Sequence, residues 1–513
     1  LIPQLSASAS LPSGDASPWR LADFLRRRYS AANDRRLSLA SEVIVLALSA
    51  SLLLVYAADF GGFEVGRVTL GCIICALSCL PLILYLRSAD RPPLPLLPLT
   101  GLFYFASCGL PAFYDFSSSG LRDVWHIEPS MESLTIVISG LLALYIGYYV
   151  SSGTRLLRKV QPIVLPRAFP LRRMTNLLWT LLTLHLAALI FRDQVIALHL
   201  DQVFLPLGYL PYGMFLILWL RRLLGPVQKG ALLAFTVMEA SIRFASGSVA
   251  ILYLFVLFLL IVVWIERQRL SMILVSAGLV LFALVNYAKV EYRALTWGDG
   301  LYANAGITEK ALLFGEITVR PFTGAGMESS YPAVDALISR VSVLAFLTHV
   351  INQTPDTVPY WKGETYAALL YKLIPRAMWE DKPSEVLGYE FSSRYGLRAA
   401  LDDSTSFNVP WIVEMYANFG AIGVMAGMAM VGFLFAWLER KLNSRSMTTL
   451  ELMLGATVLF DLFYQESNFS LMIGSKILFA PLLYWVIRAT LSERRAVTGR
   501  FRWRERARAA ASH

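Results

Sequence analysis

Charge is scarce in this chain: 16% of its 513 residues are charged, and only five are histidines. Scarce charge beside 56% hydrophobic residues excludes an intrinsically disordered protein, which stays unfolded through low hydrophobicity and high charge. It also removes the reading of this length as three or so soluble domains. The four cysteines, Cys72, Cys75, Cys79 and Cys108, all fall inside apolar runs, so no disulfide framework is implied. Cys72, Cys75 and Cys79 share a helix face with no His or carboxylate among them, which reads as packing rather than metal binding. No His, Asp or Glu cluster has ligand spacing, and no metal or other cofactor is expected. The sequence also lacks an internal repeat and a low-complexity domain.

What it has is apolar runs near twenty residues, each long enough to cross a hydrocarbon core of about 30 Å as a helix. Spans are predicted at 40–58, 68–86, 94–114, 134–152, 174–191, 203–220, 230–243, 248–265, 270–288, 412–437, 447–464 and 470–488. The fold class is therefore all-α, a polytopic helical membrane protein of about 12 transmembrane helices. Arg26, Arg27, Arg28, Arg35 and Arg36 precede the first run, and no small-residue cleavage site follows it, so that run is expected to be a retained span.

The net charge of +10 would suit a nucleic-acid partner, but the basic residues cluster between spans and at the termini. That placement reads as topology, with both termini cytoplasmic and touching anionic headgroups. The chain then divides into a cytoplasmic segment (1–39), a nine-span bundle (40–288), a large extracytoplasmic loop with helices of its own (289–411), a three-span bundle (412–488) and a basic tail (489–513). Ala333–Ile351 is apolar enough for another span, yet crossing there would put the basic residues Arg440, Lys441 and Arg445 outside. It is expected to lie in the interface or fold back into the protein.

Loops of this length tend to be functional. Helices are expected at Thr308–Ile317, Ala333–Ile351 and Glu364–Ile374, the last ended by Pro375. Asn408 and Pro410 read as the cap and first turn of the next span. There Trp411, Glu414 and Asn418 share a face at the membrane's outer edge. The pattern Arg340, Thr354-Pro355, Tyr360, Gly363, Thr365-Tyr366, Ile374-Pro375-Arg376, Trp379, Lys382-Pro383, Gly388, Pro410, Glu414, Tyr416, Asn418-Phe419-Gly420 and Gly423 resembles the oligosaccharide repeat-unit polymerases. These are the Wzy-type O-antigen and exopolysaccharide polymerases. Outside this stretch only the many-span layout and the long loop agree.

The resemblance implies the architecture of GT-C-type lipid-linked glycosyltransferases, in the bacterial inner membrane, with undecaprenyl-pyrophosphate-linked glycans as substrates and a chain-length regulator as a candidate partner. Such a reaction needs cations for the leaving diphosphate, a base for the acceptor hydroxyl and aromatic platforms for sugars. Arg376 is the first candidate for the diphosphate, as its planar guanidinium grips phosphate oxygens in pairs; the plainer reading is an interfacial Arg or an ion pair with Asp381. Lys382 is the second, or else it pairs with Glu380 or Asp381. Arg340, Arg293 and Arg320 are further cations: Arg340 either binds phosphate or pairs with Asp335, Arg293 has Glu291 nearby, and Arg320 suits a solvated loop. Glu414 leads for the base, against a first-turn Glu favoured by the helix dipole, and Asp381 follows. His349 reads as a satisfied helix histidine, and Asp402 and Asp403 as loop solvation. Trp361, Trp379 and Tyr366 are candidate sugar platforms or ordinary interface aromatics. Tyr416 and Asn418 complete the substrate contacts. Glu239 and Arg243 read as an intrahelical pair, and Gly423 and Gly427 as a helix-packing face. An O-antigen ligase and a flippase or transporter for lipid-linked glycan remain the competing functions.

Overall fold

In the computed structural model the described residues are 65–88, 90–114, 127–167, 169–197, 200–245, 249–267, 288, 291–292, 295–296, 300–320, 341–371, 379, 387–397 and 407–492. They form helices and connecting turns, with no strand among the described residues. Six helices are long and apolar enough to cross a membrane: α1 (Val65–Arg87), α2 (Leu96–Phe113), α3 (Met131–Gly153), α4 (Leu171–Ile190), α11 (Trp411–Leu442) and α13 (Phe469–Leu491). The chain is an all-helical membrane protein, as its composition predicts. Between them lie α5 (Leu205–Leu220), α6 (Pro226–Ala245), α7 (Val249–Arg267), α8 (Ile307–Val319), α9 (Val343–Gln353), α10 (Leu387–Arg394) and α12 (Thr449–Leu459), the last extended by a 3₁₀ turn to Phe463. The span predicted at 40–58 lies outside the described residues, as does that at 270–288 apart from Ala288.

Local chemistry sets several ends. The Ser130 hydroxyl caps α3 by accepting from Ser133 N at 3.1 Å. Thr448 and Glu451 form a capping box at α12. The second oxygen of Glu451, Oε1, accepts from Leu165 N at 2.9 Å, which ties the loop before α4 to this end. Nearby, the buried Asn443 amide pairs with both backbone groups of Leu94, at 2.8 and 2.7 Å.

The central pair is α3 against α11. Lipid gives no hydrophobic reward for helix association, so such pairs rely on small residues that let backbones meet. A methyl group on Gly147 would stand 2.0 Å from the Ala429 carbonyl oxygen, and one on Gly432 2.1 Å from that of Leu144. The contacts advance together: Gly140 meets Val424 and Met428, Tyr148 donates to Glu439, and Arg440 donates to the Ser152 carbonyl. The two helices therefore run parallel.

The predicted span 412–437 is not one straight helix. Phe419 (φ −143°, ψ 15°) and Gly420 (φ 63°, ψ −153°) leave helical geometry, and the chain folds back there. The rings of Trp411 and Phe435 lie 6.4 Å apart, whereas straight helix would separate them by about 36 Å. Residues 411–418 are a half-helix lying along 421–442. Gly423 and Gly427 accordingly face Met415 of that half-helix, so their packing face serves the hairpin.

Above the hairpin sits a cap made of α9, residues 354–371 and α10. At 11 residues, α9 is too short to cross, and it is buried from Val343 to Thr348. It folds back into the protein, where Thr348 donates to Ser133 of α3 at 2.9 Å. His349 Nε2 donates to the Tyr395 carbonyl at 2.8 Å, the satisfied histidine expected. The helix expected at Glu364–Ile374 is a 3₁₀ turn, Glu364–Tyr366, followed by a short helix, Ala368–Tyr371; residues 372–374 lie outside the described residues.

Candidate functional site

The Asn418 side chain and two main-chain hydrogen bonds fasten the cap to the helix break. Asn418 ends the half-helix, and its amide oxygen accepts from Gly363 N at 2.7 Å. Its amide nitrogen donates to the Thr365 hydroxyl and to the Glu414 carbonyl, each at 2.8 Å. The main chain adds Trp361 N to Ala417 O at 3.1 Å and Lys362 N to Asn418 O at 3.3 Å. Lys362 and Gly363 both have positive φ, the tight reversal that aims these N–H groups at the break. Asn418 is thus committed to structure: both amide hydrogens go to the protein, and it positions the cap.

One turn earlier, Glu414 is fully buried. Its Oε2 accepts from Phe469 N, the first residue of α13, at 2.7 Å. Oε1 has no hydrogen-bond partner among the described residues. The Thr365 hydroxyl stands beside the carboxyl. The fold-back corrects the expected location: Glu414 lies inside the bundle, not at its rim. Taking an ionised carboxyl from water costs several kcal/mol unless partners replace the water, so this one is retained against a penalty. Tyr366 packs edge-on to Phe469 with ring centroids 6.1 Å apart, and burial together with the Glu414 charge pushes its phenol up.

The structure brings together Glu414, Tyr366 and Asn418, and puts Tyr416 on the same half-helix, its hydroxyl 3.4 Å from Glu132 of α3. Arg376, Asp381, Lys382, Arg340 and Arg293 lie outside the described residues, as do Asp402 and Asp403. Arg320, partly exposed, caps the C-terminal end of α8 and pairs with Glu291 at 2.6 Å and Glu316 at 3.5 Å, so it is a paired helix-end cation and not a solvated loop charge. Trp379 is exposed. Trp361 is no sugar platform: its ring stacks on Phe391 at 5.6 Å, and the Arg394 guanidinium covers it at 3.8 Å.

Residues 175–498 match the family described as Domain of unknown function (DUF8712), which takes in more than half of the chain. The chain belongs to the DUF8712 family. No curated protein and no solved structure matches it. The DUF8712 region holds both partners of the clamp, so cap and broken helix belong to one family unit.

Within that region the sequence reading missed two sets of residues. Trp411 N donates to the Gln465 carbonyl at 3.2 Å, and the Tyr104 hydroxyl donates to Gln465 Oε1 at 2.7 Å, so the turn before α13 reaches into the bundle. The available signal was polarity: Asp461, Gln465, Glu466 and Asn468 interrupt an apolar stretch. The second set is His185, which joins the Glu239–Arg243 pair from another helix. Its Nε2 lies 3.1 Å from Glu239 Oε1, and Arg243 Nε donates to the same oxygen at 2.9 Å. All three are buried, and ionisable groups at such depth are expensive unless paired.

Proposed function

We propose that this protein polymerises undecaprenyl-pyrophosphate-linked oligosaccharide repeat units into O-antigen or exopolysaccharide at the outer face of the bacterial cytoplasmic membrane. The growing glycan passes from its lipid carrier to a lipid-linked repeat unit. What carries the reading is that the two halves of the polymerase-like pattern touch through their own motif residues: Gly363 and Thr365 meet Asn418, and Thr365 stands beside Glu414, although some fifty residues of chain intervene. A pattern made of unrelated structural residues has no reason to converge on a buried carboxyl.

In this reading Glu414 takes the proton of the acceptor hydroxyl through Oε1. The freed oxygen forms the new bond to the anomeric carbon. The bond from that carbon to the diphosphate breaks, and its electron pair stays on the diphosphate oxygen, where Arg376 and Lys382 are assigned to meet the charge. Asp381, Arg340, Arg293, Arg320 and Trp379 keep only their sequence-based standing as contacts. Twelve spans of GT-C type with both termini cytoplasmic fit the parallel pairing of α3 and α11, because parallel helices need an even number of crossings from one to the next. The fourth and tenth spans meet that condition.

A flippase for lipid-linked glycan is the second reading, favoured by the break at Phe419–Gly420, since transporters build sites at discontinuous helices. An O-antigen ligase would use the same chemistry on another acceptor. The test is to introduce Glu414→Gln and Arg376→Ala into cells lacking the native gene. Polymer is expected to vanish while folded protein and outward-facing lipid-linked repeat units persist. Polymer of ordinary length in both variants would remove the assignment; repeat units trapped on the inner face would favour the flippase, and unattached polymer the ligase.

A further inference from the structure

The half-helix 411–418 starts deep in the bundle, beside Phe435, and its start is poorly satisfied. Pro410 caps it without a side-chain hydrogen bond. Trp411 Nε1 and Gln465 Nε2 are donors with no partner among the described residues, on side chains that are 0% exposed. Glu414 Oε1, equally buried, is an acceptor with no partner. These residues adjoin: Trp411 N donates to Gln465 O, Phe469 N donates to Glu414 Oε2, and the rings of Trp411 and Phe469 lie 4.9 Å apart. Tyr104 holds one end of the Gln465 amide, Oε1, at 2.7 Å, and the other end has no partner among the described residues.

We infer that Trp411, Gln465 and Glu414 form a binding site for one ordered water at the buried start of the half-helix. The balance of groups selects the ligand. An anion would face the Glu414 carboxylate, and a cation would face two N–H groups. A neutral hydroxyl compound accepts from both N–H groups and donates to the carboxylate, which is what the orphan atoms require. The Thr365 hydroxyl, already accepting from Asn418, stands beside the carboxyl and leaves the deeper donors unanswered. The inference does not depend on glycan chemistry: it places a polar, hydrated spot at the buried first turn of α11, beside Phe435, whatever reaction the protein performs.

Radiolytic hydroxyl-radical footprinting of the purified full chain tests it, because radicals formed from a bound water oxidise the side chains that hold it. Trp411 is expected to be oxidised despite its complete burial. In Gln465→Met, which removes one of the donors, that oxidation should fall several-fold while labelling elsewhere is unchanged. Trp411 left unmodified in the native protein, or modified equally in the folded variant, would overturn the site. The native measurement stands alone if the variant does not fold. Polymer synthesis plays no part in this readout, so its failure and a failure of the proposed function are separable.

Discussion

Replacing Gly420 by alanine attacks the fold-back at its narrowest point. Gly420 holds φ 63° and ψ −153°, a region that only glycine enters without strain. An added methyl would also sit 2.9 Å from the Tyr360 hydroxyl oxygen and 3.3 Å from the ring carbon bearing it. Backbone strain and overpacking together cost roughly 2–6 kcal/mol. Adding Tyr360→Phe removes the hydroxyl and returns only the overpacking share, leaving the strain in place. The native cysteines supply the assay: Cys79 and Cys108 are buried, so a thiol-reactive dye reports their exposure as the bundle melts. The melting temperature is expected to fall in Gly420→Ala and to recover in part in the double variant. A Gly420→Ala protein that melts like the native one would refute the hairpin geometry.

Asn418→Ala deletes three hydrogen bonds of 2.7–2.8 Å, a loss of about 1.5–4.5 kcal/mol. Amide hydrogen exchange should quicken across 359–371 and stay slow across 421–442; unchanged exchange in the cap would show that the clamp is dispensable. Gly147→Leu forces a side chain onto the Ala429 carbonyl and should abolish folded protein in size-exclusion profiles. Gly153→Leu, with nothing within 4 Å of the added carbon, should leave them unaltered; equal profiles for both would refute the close approach of α3 and α11.

Helix positions were legible from apolar runs, as at Val65–Arg87, predicted as 68–86, and at Met131–Gly153, predicted as 134–152. The hairpin was not. A half-helix buried against its own continuation carries the same apolar residues as a straight span, so hydropathy merges 411–418 with 421–442. The one signal was Asn418-Phe419-Gly420, a glycine behind a side chain that readily caps, and it was read as part of a motif rather than as a break. Glu414 was singled out as a candidate base at the mouth of a straight span, but its depth depends on the fold-back and was misplaced with it. Trp361 read as either a sugar platform or an interface aromatic because stacking on Phe391, thirty residues on, leaves no local trace in the sequence.

The glycine-lined seam has a mechanical side. Where carbonyl oxygens lie against the Cα atoms of a neighbouring helix, as at Gly147 and Gly432, sliding one helix along the other would drive a whole turn of side chains through backbone. That pair behaves as a fixed mast. The cap above it is tied on at several points, by the Asn418 carboxamide, by the main chain at Trp361 and Lys362, and by Thr348 to the mast itself, so loosening it takes more than the loss of one latch.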